Sequence, residues 1–370
     1  MKKVWLYFSN GVFLEADSFG ADGTMVGDVV FNTSMGATQE VISDPSSGGV
    51  FINFTMSEIG NYGTNEQDDE SEDIKTKGIL VRNYQDRYSN FRATSSLGAY
   101  LKKHSVMGIC NIDTRYITTM IRDNGILKMV ASTEFSDKEK LAKLLQDSKD
   151  EQEFLVTNQS YKHTNSIFNF KTLRYDEPPL SQAKVLVLDL GVKKSTLSEL
   201  VNAKMSVEVI PYNTDAKIII DRYNSKDIDG VVISSGAIEP NKLSGVVDTI
   251  KKLQDAKVPL LGIGLAHHLV ALANNLELKK LSFGHHGSNH PVRDIASGKV
   301  EQYAQNHIYT ISSDPSDIAT ITHTNIFDGT IEGLRYNNIK AITTEFYPAS
   351  SSQYLQTSPI YTEFLSLLKR

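Results

Sequence analysis

The stretch VPLLGIGLAHHLVALA, residues 258–273, decides how the second half of the chain folds. Residues 258–263 form a continuous apolar run, the pattern of a strand buried on both faces. From 267 to 274 the chain reads as an apolar helix. Small residues at Gly262, Gly264 and Ala266 let strand and helix backbones pass close together. A strand that turns sharply into a helix through small residues has the layout of a nucleophile elbow, in which a reactive Ser or Cys sits on a strained turn. Here the central residue is Gly264, which carries no side chain. Glycine tolerates the dihedrals of such a turn, so the turn can persist without a reactive group. On this segment alone, an ordinary glycine-rich strand–helix turn is an equal reading.

Outward from the elbow, buried runs alternate with amphipathic segments. Strand-like runs at 185–188, 207–210 and 230–234 are separated by helices through Leu197, Leu200 and Val201, around 218–223, and over 241–256. This alternation predicts an α/β domain with a parallel sheet covered on both faces, whose ligands sit at the carboxyl ends of the strands. The first half differs. It opens with a hairpin-like Ser9-Asn10-Gly11 turn and has β-branched runs at 27–32 and 50–55. A capping box at 136–139 opens a helix through Leu141, Leu144 and Leu145. Residues 66–73 (EQDDESED) hold six acids in eight and read as a solvated loop. Residues 157–183 are polar, with Pro178-Pro179 near their end, and read as a linker. The expected division is 1–156, a mixed α/β domain; 157–183, the linker; and 184–370, the sheet domain.

Composition narrows the function classes. The 370 residues carry 38 basic and 44 acidic side chains, a net charge of −6. That balance gives no electrostatic footprint for nucleic acid or an anionic membrane. No apolar run is long enough to span a bilayer. The N-terminus meets Glu15 and Asp17 early and reads as a first strand, not a signal peptide. A single cysteine excludes an intramolecular disulfide and fits a reducing compartment. A cytoplasmic location is expected.

Several ordered segments carry a family resemblance. They are VFNTSMGATQEVISDPS (30–46), IGNYG (59–63), SNFRATSSLGAYLKKHSVMGICNIDTR (89–115) and IRDNG (121–125) in the first half. In the second half they are LDLGVKKS (188–195), GIGLAHH (262–268), FGHHGSNHPV (283–292), QNH (305–307) and FDGT (327–330). With these, the chain resembles the small, glutamine amidotransferase subunit of carbamoyl-phosphate synthetase almost end to end. The resemblance implies a class I glutaminase domain whose Cys-His-Glu triad releases ammonia for a large subunit, in a heterodimer that associates further. It implies no cofactor. The chemistry in that family is thiolate attack on the glutamine amide, proton shuttling by the histidine, and orientation of the histidine by the carboxylate.

The same resemblance places Gly264 at the family's cysteine, Tyr347 at its histidine and Ala349 at its glutamate. It implies that the triad chemistry is absent. The family's oxyanion loop corresponds to Ser235-Gly236-Ala237-Ile238-Glu239-Pro240. Gly236 is retained, but Ile238 replaces a glycine; a β-branched residue fits poorly wherever φ is positive, so altered donor geometry is expected. Glutamine-pocket positions Ser46, Leu265 and Asn306 are retained, while His268, Ile308 and Tyr309 replace a glutamine, a glycine and a phenylalanine. Ile308 is expected to obstruct the pocket.

Other groups compete for a role. Cys110 reads as a buried structural thiol. Ser234 or Ser235 with His267 or His268 offers a nucleophile–base pair that nothing in the spacing supports. Seven of the nine histidines lie between 267 and 323. His285, His286, His290 and His307 invite a metal reading, but they fall in segments that the family keeps as metal-free loops, so no metal is expected. Three functions follow. The first is a silent glutaminase subunit that docks on a large subunit as scaffold or regulator. The second is a binding protein using the remodelled pocket. The third is an ordinary glutamine-hydrolysing subunit serving arginine or pyrimidine synthesis.

Overall fold

The computed structural model describes residues 1–148, 156–169, 172–349 and 357–369. The chain divides into two compact units, Met1–Glu153 with Ser282–Ser288, and Phe154–Leu281 with Asn289–Arg370.

The first unit is a closed seven-stranded barrel. Its strands run in the order Lys2–Phe8, Phe13–Ser18, Met107–Cys110, Gly78–Leu80, Val50–Phe54, Thr24–Asn32 and Leu127–Ser132. The first two strands form the hairpin that Ser9-Asn10-Gly11 predicts, pairing Tyr7 with Phe13. Closure leaves no open sheet edge, and Val4, Leu6, Phe51, Leu80 and Met129 fill the interior without solvent exposure. The helix predicted near 136 spans Lys138–Asp147, but its N-cap is Asp137, whose side chain accepts from the Lys140 N–H at 2.7 Å. A carboxylate caps as well as a hydroxyl and adds charge favourable to the helix dipole. The acidic segment 66–73 is not merely solvated. Asp68 pairs with Arg92 at 2.5 Å, Asp69 accepts from Tyr100 at 2.5 Å, and Glu70 is buried.

The second unit is the predicted α/β layer structure. Five central strands, Met205–Pro211, Ala183–Asp189, Gly230–Ile233, Leu260–Ile263 and Ala341–Thr344, run parallel in that spatial order. Val185 and Val187 face one side with Leu200 and Phe364, while Leu186 and Leu188 face the other with Ile219, Ile250 and Leu269. Both faces are therefore covered, as continuous apolar strands require. Antiparallel strands Ile331–Tyr336, Ala319–Asn325, Leu278–Asp294 and Val300–Ile311 extend the sheet beyond Ala341–Thr344.

Two expectations change. GHHGSNHPV and QNH are not loops; they lie within the long strands Leu278–Asp294 and Val300–Ile311. Gly284, Gly287 and Pro291 interrupt the two-residue alternation by which such strands are recognised. The stretch 157–183 is also structured: Tyr161–His163 adds an antiparallel edge strand to Met205–Pro211, and Phe168–Asn169 pairs with Arg174–Tyr175.

The elbow helix Leu265–Ala273 is buried over eight of its nine residues, including fully buried Leu269. Leu269→Ala is expected to lower unfolding free energy by about 2–5 kcal/mol, measured by urea titration, because the cavity is surrounded by a packed core.

Candidate functional site

The elbow forms as the sequence predicts. Strand Leu260–Ile263 ends at Gly264, whose φ of 58° and ψ of −117° are open to glycine and costly for any residue with a Cβ. The Gly264 N–H donates to the Thr344 carbonyl at 2.8 Å, and the His267 N–H returns to the Gly264 carbonyl at 2.8 Å. The turn is thereby tied to the neighbouring strand and to its own helix.

What surrounds Gly264 is specific. A Cβ at that position would stand 2.4 Å from Ser235 Oγ and 2.9 Å from Ser235 Cβ. Ser235 is buried, and its Oγ accepts a hydrogen bond from the Tyr347 hydroxyl at 3.0 Å. Tyr347 is held in turn: its N–H donates to the Ala304 carbonyl at 3.0 Å, and the Lys193 ammonium stands 4.5 Å from the ring centroid. The three elements that meet here are the elbow, the loop after Gly230–Ile233 and the segment after Ala341–Thr344. Ala349 lies beyond Pro348 and is exposed.

The other predicted positions divide into groups. Gly236 runs against the Leu190 carbonyl, where a Cβ would meet oxygen at 2.0 Å. Ile238 corrects an expectation. It is not among the residues with positive φ; it is buried in the core with Ile233, Leu243 and Leu265. The apolar side chain gains more from burial than the loop loses by turning inward. Leu265 opens the helix and is buried, while Asn306, Ile308 and Tyr309 are half-buried on the strand Val300–Ile311. Ser46 belongs to the first unit, in the short 3₁₀ helix Pro45–Ser47 capped by Asp44.

The nucleophile–base pairs weighed from sequence are not assembled as pairs. The Ser234 hydroxyl donates to the Ser235 carbonyl and accepts from the Leu190 N–H. His267 Nδ1 shares a 2.8 Å hydrogen bond with Thr343 Oγ1. Burial, with His268 beside it, pushes the His267 imidazole well below its ordinary value, so the ring is neutral. His268 Nε2 stands 2.6 Å from Glu345 Oε2. Cys110 is buried in the barrel strand Met107–Cys110, and burial pushes its thiol up to about 11, which leaves it protonated and unreactive at neutral pH.

Sequence reasoning did not single out Glu345 or Glu332. Both are almost fully buried. Glu332 accepts from Gln305 Nε2 at 2.8 Å, Thr330 Oγ1 at 3.1 Å and Asn325 Nδ2 at 3.3 Å. The available signal was a lone acid in each apolar run, 331–336 and 341–347.

A doubly covered parallel sheet with a left-handed strand-to-helix turn is the architecture of the class I glutamine amidotransferase domain, and residues 186–367 match the model of that family, "Glutamine amidotransferase class-I". Residues 6–131 match "Carbamoyl-phosphate synthase small chain, CPSase domain". Over the whole chain, the sequence is 42% identical to the carbamoyl phosphate synthase small chain of Helicobacter hepaticus, covering 99% of this chain and 98% of that one. It is 44% identical to the Helicobacter pylori small chain, covering 99% of each. It is 36% identical to the Listeria monocytogenes small chain, covering 100% of this chain and 97% of that one. The chain belongs to the carbamoyl phosphate synthase small-chain family. Among the described residues, no helix is long and apolar enough to cross a membrane.

Burial first, and then the charge of Glu345, raises the Glu332 carboxyl to about 8. A carboxyl raised in the folded state binds more protons folded than unfolded between its ordinary range and that value. Stability therefore falls as pH rises through this window. Glu332→Gln is expected to flatten the decline in melting temperature between pH 5.5 and 8; an unchanged slope would place the pH dependence elsewhere.

Proposed function

We propose that this chain is a small subunit without glutaminase chemistry, which docks on a carbamoyl phosphate synthase large subunit as scaffold or regulator. The nitrogen for carbamoyl phosphate then arrives as ammonia from solution. The observation that carries this reading is the Ser235–Tyr347 pair. Ser235 fills the space that a side chain at 264 would use, and Tyr347 holds it there at 3.0 Å.

Amide hydrolysis through a covalent intermediate needs a nucleophile on the elbow, a base within hydrogen-bond reach and a group that orients the base. Gly264 supplies no nucleophile. Tyr347, at the base position, is a phenol whose hydroxyl is already directed at Ser235. Ala349 has no carboxylate to orient a base. The Ser235 hydroxyl accepts from the Tyr347 phenol, and a weakly acidic neighbour does not take its proton at neutral pH. His268, Ile308 and Tyr309 stand where the resemblance places glutamine-pocket residues of another kind, whereas Gly236, Leu265 and Asn306 are retained positions of the second unit.

The whole-length likeness to small chains supports a large-subunit partner, because the scaffold positions are kept while the catalytic positions are not. A cytoplasmic place in arginine or pyrimidine synthesis belongs to the same proposal.

The test is carbamoyl phosphate synthesis by this chain mixed with its organism's large subunit. Synthesis from ammonium chloride but not glutamine, with the two chains co-eluting, is expected. Synthesis from glutamine would overturn the reading, and absence of association would move the function to an independent binding protein.

Gly264→Cys tests the pocket separately. The new side chain must displace Ser235 and adopt a positive φ, at a cost of about 1–3 kcal/mol. The variant is expected to be less stable than wild type and to release no ammonia from glutamine. Turnover comparable to a working glutaminase would contradict the proposed pocket.

A further inference from the structure

Beside the elbow, His268, His307 and Glu345 come together although they are far apart in the sequence. His268 lies on the elbow helix, His307 on the strand Val300–Ile311, and Glu345 directly after the strand Ala341–Thr344. One ligating atom from each lies within 4.8 Å of the others, and all three residues are buried. His268 Nε2 is 2.6 Å from Glu345 Oε2, and His307 Nδ1 is 3.6 Å from Glu345 Oε1. The side chains of His268, His307 and Glu345 are only 3%, 6% and 1% exposed.

We infer that these three side chains form a binding site for a divalent transition metal, with zinc the ion that suits the donor set best. Two imidazoles and one carboxylate converging on one point are the donors of three-ligand zinc sites, which keep a fourth position for water or another ligand. The inference goes beyond the silent-glutaminase reading and does not depend on it.

Three observations converge. A carboxylate this deeply buried is costly unless a cation or strong donors face it. The imidazole of His307 is oriented by its neighbours: Nδ1 lies 2.7 Å from the Tyr309 carbonyl and Nε2 lies 3.3 Å from Gln305 Oε1. Nδ1 is the nitrogen that faces Glu345, so an ion held there replaces its hydrogen bond to the Tyr309 carbonyl, while Gln305 on Nε2 keeps the ring oriented, as the outer partner of a metal-bound histidine does. The three residues also sit on three separate elements, so an ion would cross-link the elbow helix to two strands of the sheet and stabilise the folded state. His285, His286 and His290, which the sequence offers as metal candidates, are not in this group. His285 and His286 belong to residues that group with the first unit, and His290 packs against Phe327.

The competing arrangement is a metal-free ion pair between protonated histidines and Glu345. Titration of the metal-stripped full chain with Co²⁺, which reports tetrahedral coordination by intense visible absorption, separates the two. One equivalent is expected to bind, to be displaced by Zn²⁺, and to raise the melting temperature. Glu345→Gln and His268→Gln, each nearly isosteric, are expected to weaken binding about 100-fold or more, while His163→Gln, on the edge strand, leaves it unchanged. Lack of cobalt and zinc binding by wild type, or full binding by Glu345→Gln, would overturn the site. If those variants do not fold, the wild-type chain crystallised with zinc decides the matter. An anomalous scattering peak between the three side chains supports the site, and a peak elsewhere, or none, refutes it.

Discussion

The second unit is organised around the left-handed turn at Gly264. A strand must end, reverse its direction and start a helix within one residue, and only glycine reaches φ of 58° with ψ of −117° at little cost. The turn is held from both sides by backbone hydrogen bonds to Thr344 and His267. These contacts fix where Leu265–Ala273 begins, and so where His267 and His268 point. They also set the distance to the loop carrying Ser235. The turn needs no side chain at 264, because the backbone satisfies its hydrogen bonds.

The interior beside the turn is unusually polar for a core. His267, His268, Gln305, His307, Glu332, Thr343 and Glu345 are buried within the second unit. Such groups persist in a low-dielectric interior only when they are partnered. Thr343 serves His267, Gln305 and Thr330 serve Glu332, and Glu345 faces two imidazoles. A replacement at any one of them changes the electrostatics of the rest. This polar cluster is distinct from the apolar layers on either face of the sheet, to which Leu186 and Val187 belong.

The fold was largely legible in the sequence, and for a definite reason. Buried parallel strands such as 185–188 and 230–233 are continuous apolar runs, and the helices between them keep one apolar face. The antiparallel extension was not legible. Its strands lack a regular alternation of buried and exposed residues, Gly284, Gly287 and Pro291 interrupt the pattern further, and clustered histidines resemble loop composition. The elbow was readable from the small residues at 262, 264 and 266. Ile238 was misread, because its side chain could be judged only against a strained loop, whereas the loop turns inward and buries it. The grouping of His268, His307 and Glu345 was invisible, since the sheet brings together residues 268, 307 and 345 only after folding. The interplay of Ser235 with Tyr347 likewise spans 112 positions.

The central claim is that the space for glutamine chemistry at the elbow is filled by the chain's own Ser235 and Tyr347. Its most direct test is titration calorimetry of the purified chain with L-glutamine. The account expects no heat of specific binding up to millimolar glutamine. Saturable, stoichiometric binding in the micromolar range would contradict it.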